Sequence, residues 1–317
     1  MFCQKILRIC LFTATLNVLN ILTLNGQTIN EISIEEVLSI GQHENEEFYQ
    51  LAGICVDDSE NIYLSDMIDQ SLHKFNSQGK RVLKLTPESK VKPVPIQKMV
   101  YNNDKIYIVR QGFPGIEILN RYFSRIGFIK YPNPVSSFCF IDSTHLLVLP
   151  FKIFSSNHFS LITLDGQEYA KIEYNIMNEK GLQNQITFKI MDGESIVFAY
   201  LFSDCVAKID FSSKLIWKEQ FYKGIKTETK SLMGISLPQN TFFVDIQSDK
   251  FKNIFVLLGH YSSLKNMQIL ILNESGDEKQ RLDLPFSTHM IYIDHNNYLY
   301  TRALKGTSLK KFKIIYH

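Results

Sequence analysis

A short apolar run recurs six times along this chain, and the recurrence limits the fold more than any other feature does. NIYLSD starts at Asn61, KIYIVR at Lys105, HLLVLP at His145, SIVFAY at Ser195, NIFVLL at Asn253 and NYLYTR at Asn297. The starts lie about 40 to 58 residues apart. Each copy has the same company. A strand-like run precedes it: LAGICVD, IQKMVYN, SSFCFID, ITFKIMD, FFVDIQS or HMIYIDH. A third run follows, such as SLHKF, GIEILN or CVAKID. Four copies then show a polar turn and a fourth run: RVLKL, YAKIEY, KLIWKEQF and KQRLDL. Short runs bounded by Asn, Asp, Ser and Gly are how antiparallel strands and hairpin turns read. No long stretch carries a 3.6-residue period. The 15 Tyr and 23 Phe favour strands as well.

A repeat of this length made of four short strands is the signature of propeller blades. The expectation is an all-β chain forming a six-bladed β-propeller of four-stranded antiparallel blades. The sixth copy ends at KFKIIYH, directly after its third run. ISIEEVLSIG, residues 32–41, has strand character and precedes the first copy. An N-terminal strand closing the last blade would remove a free edge. A short helix over SIEEVLSI is the alternative.

The first 26 residues read differently. Lys5 and Arg8 precede the mostly apolar ICLFTATLNVLNILTL, and Gly26 follows. A basic start, an apolar stretch and a small residue are the pattern of a secretory signal peptide, with cleavage expected after Gly26. An uncleaved anchor is the alternative. Cys10 stands before most of the apolar stretch, the wrong place for a lipoprotein cysteine. The expected domains are therefore a signal at 1–26 and one propeller at 27–317. Export places the protein in the periplasm, the cell envelope or the medium, with no transmembrane span after cleavage. Lys5 and Arg8 are the only charges in the signal, so cleavage takes the formal charge from +2 to zero. A neutral chain exerts no general pull on nucleic acid. Cys55, Cys139 and Cys205 are widely spaced and show no zinc-ligand pattern.

GICVDDSENIYLSD and the residues after it resemble the NHL repeat. Gly53, Ile54, Val56, Asp57, Asn61, Ile62, Tyr63, Asp66, Phe75, Gly79 and Lys80 match its pattern. The match covers one blade; the other five agree in strand order and period. The whole chain is similar to the NHL/TolB-like propellers, and to secreted Bacteroidetes-type propellers of unassigned activity. The Asn-His-Arg that often follows the Asp is absent, since Asp66 leads into MIDQSLHKF. The resemblance implies that binding residues sit at one mouth of a central channel.

Second-strand ends and the residues beyond them should reach that mouth. They supply the candidate ligand-binding residues Asp66, Arg110, Gln111, Lys152, Tyr200, Asp204, His260, Tyr261 and Arg302. Asp245 aligns with Gly53 in a first strand and joins them as a channel candidate. Arg110, Lys152, His260 and Arg302 come from four repeats and suit an anionic ligand, since Arg grips carboxylate or phosphate bidentately. Asp57, Asp142, Asp192, Asp249 and Asp294 fall in first-to-second strand turns and read as structural. Residues 173–185 and 222–240 lengthen two connections on the mouth side.

No nucleophile elbow, HExxH, P-loop or EF-hand occurs, so no catalytic residue is assigned. The leading expectation is a binding or scaffold propeller for a protein, a peptide or a small anionic ligand, with no cofactor and no nucleic-acid partner. Lactonases and lyases on this fold supply the alternative, a metal-dependent enzyme with a channel calcium or transition metal. Asp66, Asp204 and Asp245 do not specify such a site, and His289 and His295, about 20 Å apart at strand rise, cannot share an ion.

Overall fold

The computed structural model describes residues 31–41, 48–87, 94–151, 157–177, 181–232, 235–303 and 307–317. The expected signal peptide and Lys152 lie outside them. The chain divides into two compact units. In the smaller, residues up to 33 with 315–317, the His317 amide donates to Glu31 O at 3.0 Å. Ser33 Oγ and His317 Nε2 lie 2.9 Å apart in the same unit.

The larger unit, 34–314, holds nearly all of the strands. After β1 (Ile32–Ile40), the strands β2 (Leu51–Val56), β3 (Ile62–Asp66), β4 (Leu72–Phe75) and β5 (Arg81–Leu85) form one sheet in that order. Next come β6 (Ile96–Asn102), β7 (Lys105–Arg110), β8 (Pro114–Asn120), β9 (Arg125–Phe140), β10 (His145–Pro150), β11 (His158–Thr163) and β12 (Glu168–Glu173). These seven form a single sheet, because β9 pairs with both β8 and β10. β13 (Ile186–Met191), β14 (Ser195–Tyr200), β15 (Val206–Asp210) and β16 (Leu215–Glu219) form a third sheet. A hairpin of β17 (Thr229–Leu232) and β18 (Ile235–Pro238) follows. β19 (Phe243–Ser248), β20 (Ile254–Leu258), β21 (Gln268–Leu272) and β22 (Glu278–Asp283) form a fourth. The last sheet has β23 (Ile291–Ile293), β24 (Tyr298–Arg302) and β25 (Leu309–Tyr316), with β1 beside β25 in the order β1-β25-β24-β23. ISIEEVLSI is thus strand rather than helix. Neighbouring strands from β2 to β25 pair antiparallel, and the described residues contain no α-helix, only a 3-10 turn at Gly181–Asn184.

Burial explains the sequence patterns. The second strands IYLSD, SIVFAY and IFVLL are buried at every position. Each sheet is covered on both faces there, so apolar runs are continuous rather than alternating. Fourth strands such as LIWKE and EKQRLD are mostly exposed. Their charges protect the sheet edge from pairing with other chains. The core fills the space between consecutive sheets. Leu147, Phe159 and Ile172 meet Phe188, Ile196 and Phe198, and Val197 and Ala199 meet Ile246, Val256 and Leu270.

The first-to-second strand turns are held by their acids. Asp57 Oδ1 accepts the amides of Ser59 (3.0 Å) and Asn61 (2.8 Å), and Oδ2 accepts Tyr63 Oη–H (2.9 Å). Asp294 does the same for Asn296, Tyr298 and the Tyr300 hydroxyl. Asp249 holds Phe251 and Asn253. Asx turns of this kind make tight reversals without a loop.

Candidate functional site

The first strands converge on a cavity of about 440 Å³, to which β2, β6, β9, β13, β19 and β23 all contribute. Gly53, Lys98, Ser137, Thr187, Asp245 and Ile291 line it, one from each of these strands. Glycine is needed at position 53, because a Cβ there would stand 2.7 Å from Met99 Cγ and 3.0 Å from Ser65 Oγ. A second cavity of about 650 Å³ reaches toward the Asp-held turns. The two share Lys98, Met99, Gln247 and Tyr292, so they are two halves of one channel. Both sizes suit small-molecule ligands.

Of the sequence candidates, the structure brings Asp245 and Arg302 to this channel. Arg302 ends β24 half-buried, and burial lowers its pKa. Among the described residues its guanidinium has no hydrogen bond or ion pair. A guanidinium remains charged in any protein setting, so Arg302 offers the channel a cationic fork. His289 lines the same cavity, and burial, aided by the nearby Arg302 charge, pushes its ring below the usual imidazole range. Asp245 Oδ1 accepts Thr187 Oγ1 (3.2 Å) and the Ile246 amide (2.9 Å), and Oδ2 accepts the Ile291 amide (3.0 Å). Burial raises its pKa, against the opposing effects of Lys98 and these donors.

The other candidates face the connecting segments. Asp66, 2% exposed, accepts the amides of Tyr49 (2.6 Å) and Ile68 (2.8 Å). Asp204 accepts the amides of Phe221 (2.9 Å) and Tyr222 (2.7 Å), and burial raises its pKa. Arg110 donates from Nε to Glu117 (3.0 Å) and from its terminal nitrogen to Val94 O (2.8 Å). Tyr200 Oη donates to Tyr174 O at 2.7 Å. Tyr261 Oη accepts the Glu228 amide (2.9 Å) and its ring lies 4.3 Å from that of Phe242. His260 packs edge-on to Tyr261, and Gln111 is exposed, its amide donating to Pro95 O. Five of these side chains bind backbone that enters or leaves a sheet. Their work is to hold the loops around the mouth.

Lys98 and Lys189 are the channel residues that reading strand ends misses. Both interrupt otherwise apolar first-strand runs, in IQKMVYN and ITFKIMD. That interruption is the signal that could have found them, since every second residue of an inner strand faces the channel. No group of three or more His, Cys, Asp or Glu able to hold a metal ion occurs among the described residues.

No protein-family model matches this chain, and no curated relative does. Solved structures do. The chain is similar to virginiamycin B lyase from Staphylococcus aureus, with 11% identity, TM-score 0.57, and coverage of 90% of this chain and 100% of that one. A protein of unknown function from Bacteroides thetaiotaomicron matches at 11% identity and TM-score 0.58, over 90% of this chain and 76% of that one. The WD40 propeller domain of Doa1 matches at 10% and 0.56, over 88% and 97%. Identity this low speaks for the fold alone, and the fold is a β-propeller.

Proposed function

We propose that this chain is an exported, six-bladed propeller of the NHL/TolB-like kind that binds an anionic ligand at its channel mouth. Six blades are supported by counting β9 twice, once as the fourth strand beside β8 and once as the first strand beside β10. Closure of the last blade by β1 is supported by its place beside β25. Export is supported by the signal-like residues 1–26. The observation that carries the binding reading is Arg302: a half-buried guanidinium in a channel lined by six strands, with no hydrogen-bond or ion-pair partner among the described residues. Burying a cation is costly, and a ligand carboxylate or phosphate offsets that cost. The ligand is a small anion or the acidic end of a peptide, and no cofactor is part of the proposal.

A thermal-shift panel of small carboxylates, phosphates and acidic peptides on residues 27–317 tests it. At least one anion raises the melting temperature, and R302A reduces its affinity tenfold or more, as expected for loss of a charge-assisted fork. Unchanged affinity in a folded R302A rejects the mouth as the site.

A further inference from the structure

Deeper in the channel, where its two halves meet, stand two more cations. Lys98 of β6 lines both cavities and Lys189 of β13 lines the second. Both side chains are half-buried, and neither makes a hydrogen bond or ion pair with any described residue. Asp245 is the nearby counter-charge, but its carboxylate is held by Thr187 and two amides, beyond ion-pair distance of either lysine. Asp249 and Asp294 border the second cavity with their carboxylates taken up by turn amides, and Asp58 and Lys250, both exposed, line it as well. Burial pulls Lys189 below the usual lysine range, and the Lys98 charge adds to the effect. Two partly buried like charges that feel each other within one channel repel. An anion with two charges relieves that repulsion and offsets the cost of burial. Gln247 and Tyr292 line the same waist and add neutral donors.

We propose that this waist binds a small dianion, a phosphate-type oxyanion or a short dicarboxylate, clamped between Lys98 and Lys189. The proposal deepens the mouth reading and rests on it for the route of entry past Arg302.

Calorimetric titration of residues 27–317 with inorganic phosphate, and separately with succinate, tests it and distinguishes the two chemistries. One probe binds the wild type, K98M and K189M each weaken it, and K98M/K189M loses at least tenfold. Absence of binding by either probe at millimolar concentration overturns the proposal, as does a double variant that binds like the wild type. Amine-reactive labelling of the unmutated protein covers the case of a misfolded variant. Phosphate or succinate protects Lys98 and Lys189 from acylation, and labelling that neither probe changes is contrary. R302A separates this proposal from the mouth reading. Dianion binding that survives R302A but not K98M/K189M upholds the waist and rejects the mouth; the reverse pattern upholds only the mouth.

Discussion

His73 sits in β4 with 1% of its surface exposed. Ser71 Oγ donates to Asp69 Oδ1 at 2.5 Å, and His73 Nε2 lies 2.5 Å from the same hydroxyl. The serine proton is thereby used, so Nε2–H donates to Ser71 and Nδ1 is left buried without a partner among the described residues. Burial, then the Lys84 charge, pushes the ring down to about 4 from an ordinary 6.5. The folded value lies below the unfolded one, so the unfolded chain takes up the proton first. The contribution to stability is complete above pH 6.5 and is lost as pH falls from there toward about 4. The full loss is about 3 kcal/mol. Urea midpoints measured across this window should fall more steeply for the wild type than for H73Q; equal slopes would remove His73 from the account. Asp204 gives a second residue-scale test. D204A leaves the amides of Phe221 and Tyr222 without their acceptor and should cost about 1–3 kcal/mol in urea unfolding. A cost below about 0.5 kcal/mol, ordinary for a surface change, would mean that the contact does not hold the connection.

At the scale of elements, the sequence shows the second strands best. They are continuous apolar runs because both faces are covered, and the Asx turns before them are equally legible. β9 is harder to read. Pro132 and Pro134 look like breakers between two strands, yet Arg125–Phe140 is one strand that pairs with β8 up to Pro134 and with β10 from Val135. Proline lacks only its own N–H, and a strand changing partners can spare that donor. The hairpin β17–β18 lies in the 222–240 connection, where the sequence suggests only a long loop. The site was legible in part for a similar reason. Polar residues at strand ends mark the mouth, but sequence does not say whether they face the channel or the loops. Asp66, Asp204 and Arg110 face the loops; Asp245 and Arg302 line the channel. Pairing of β1 with β25 also has a consequence. Lys310 Nζ lies 2.7 Å from Glu36 Oε1 across these strands, yet an ion pair near the surface adds little. E36Q should therefore shift stability by less than about 1 kcal/mol, while truncation before Leu51 should lower the melting temperature sharply by baring a sheet edge. An unchanged melting temperature after truncation would contradict closure by β1.

For the molecule as a whole, the charge balance and the channel point the same way. The chain without residues 1–26 is formally neutral, so the proposed anion binding rests on local cations: Arg302, Lys98 and Lys189, which line the channel. Intact mass of protein recovered from a secreting host should begin at Gln27; a full-length mass would reject the signal reading. The most direct test of the central claim is a crystal structure of residues 27–317 soaked with the anion that stabilises the protein most. The account predicts that anion in the channel mouth, with its carboxylate or phosphate oxygens on the Arg302 guanidinium. The same anion bound on an outer strand or on the connecting loops, with Arg302 bare, would contradict it.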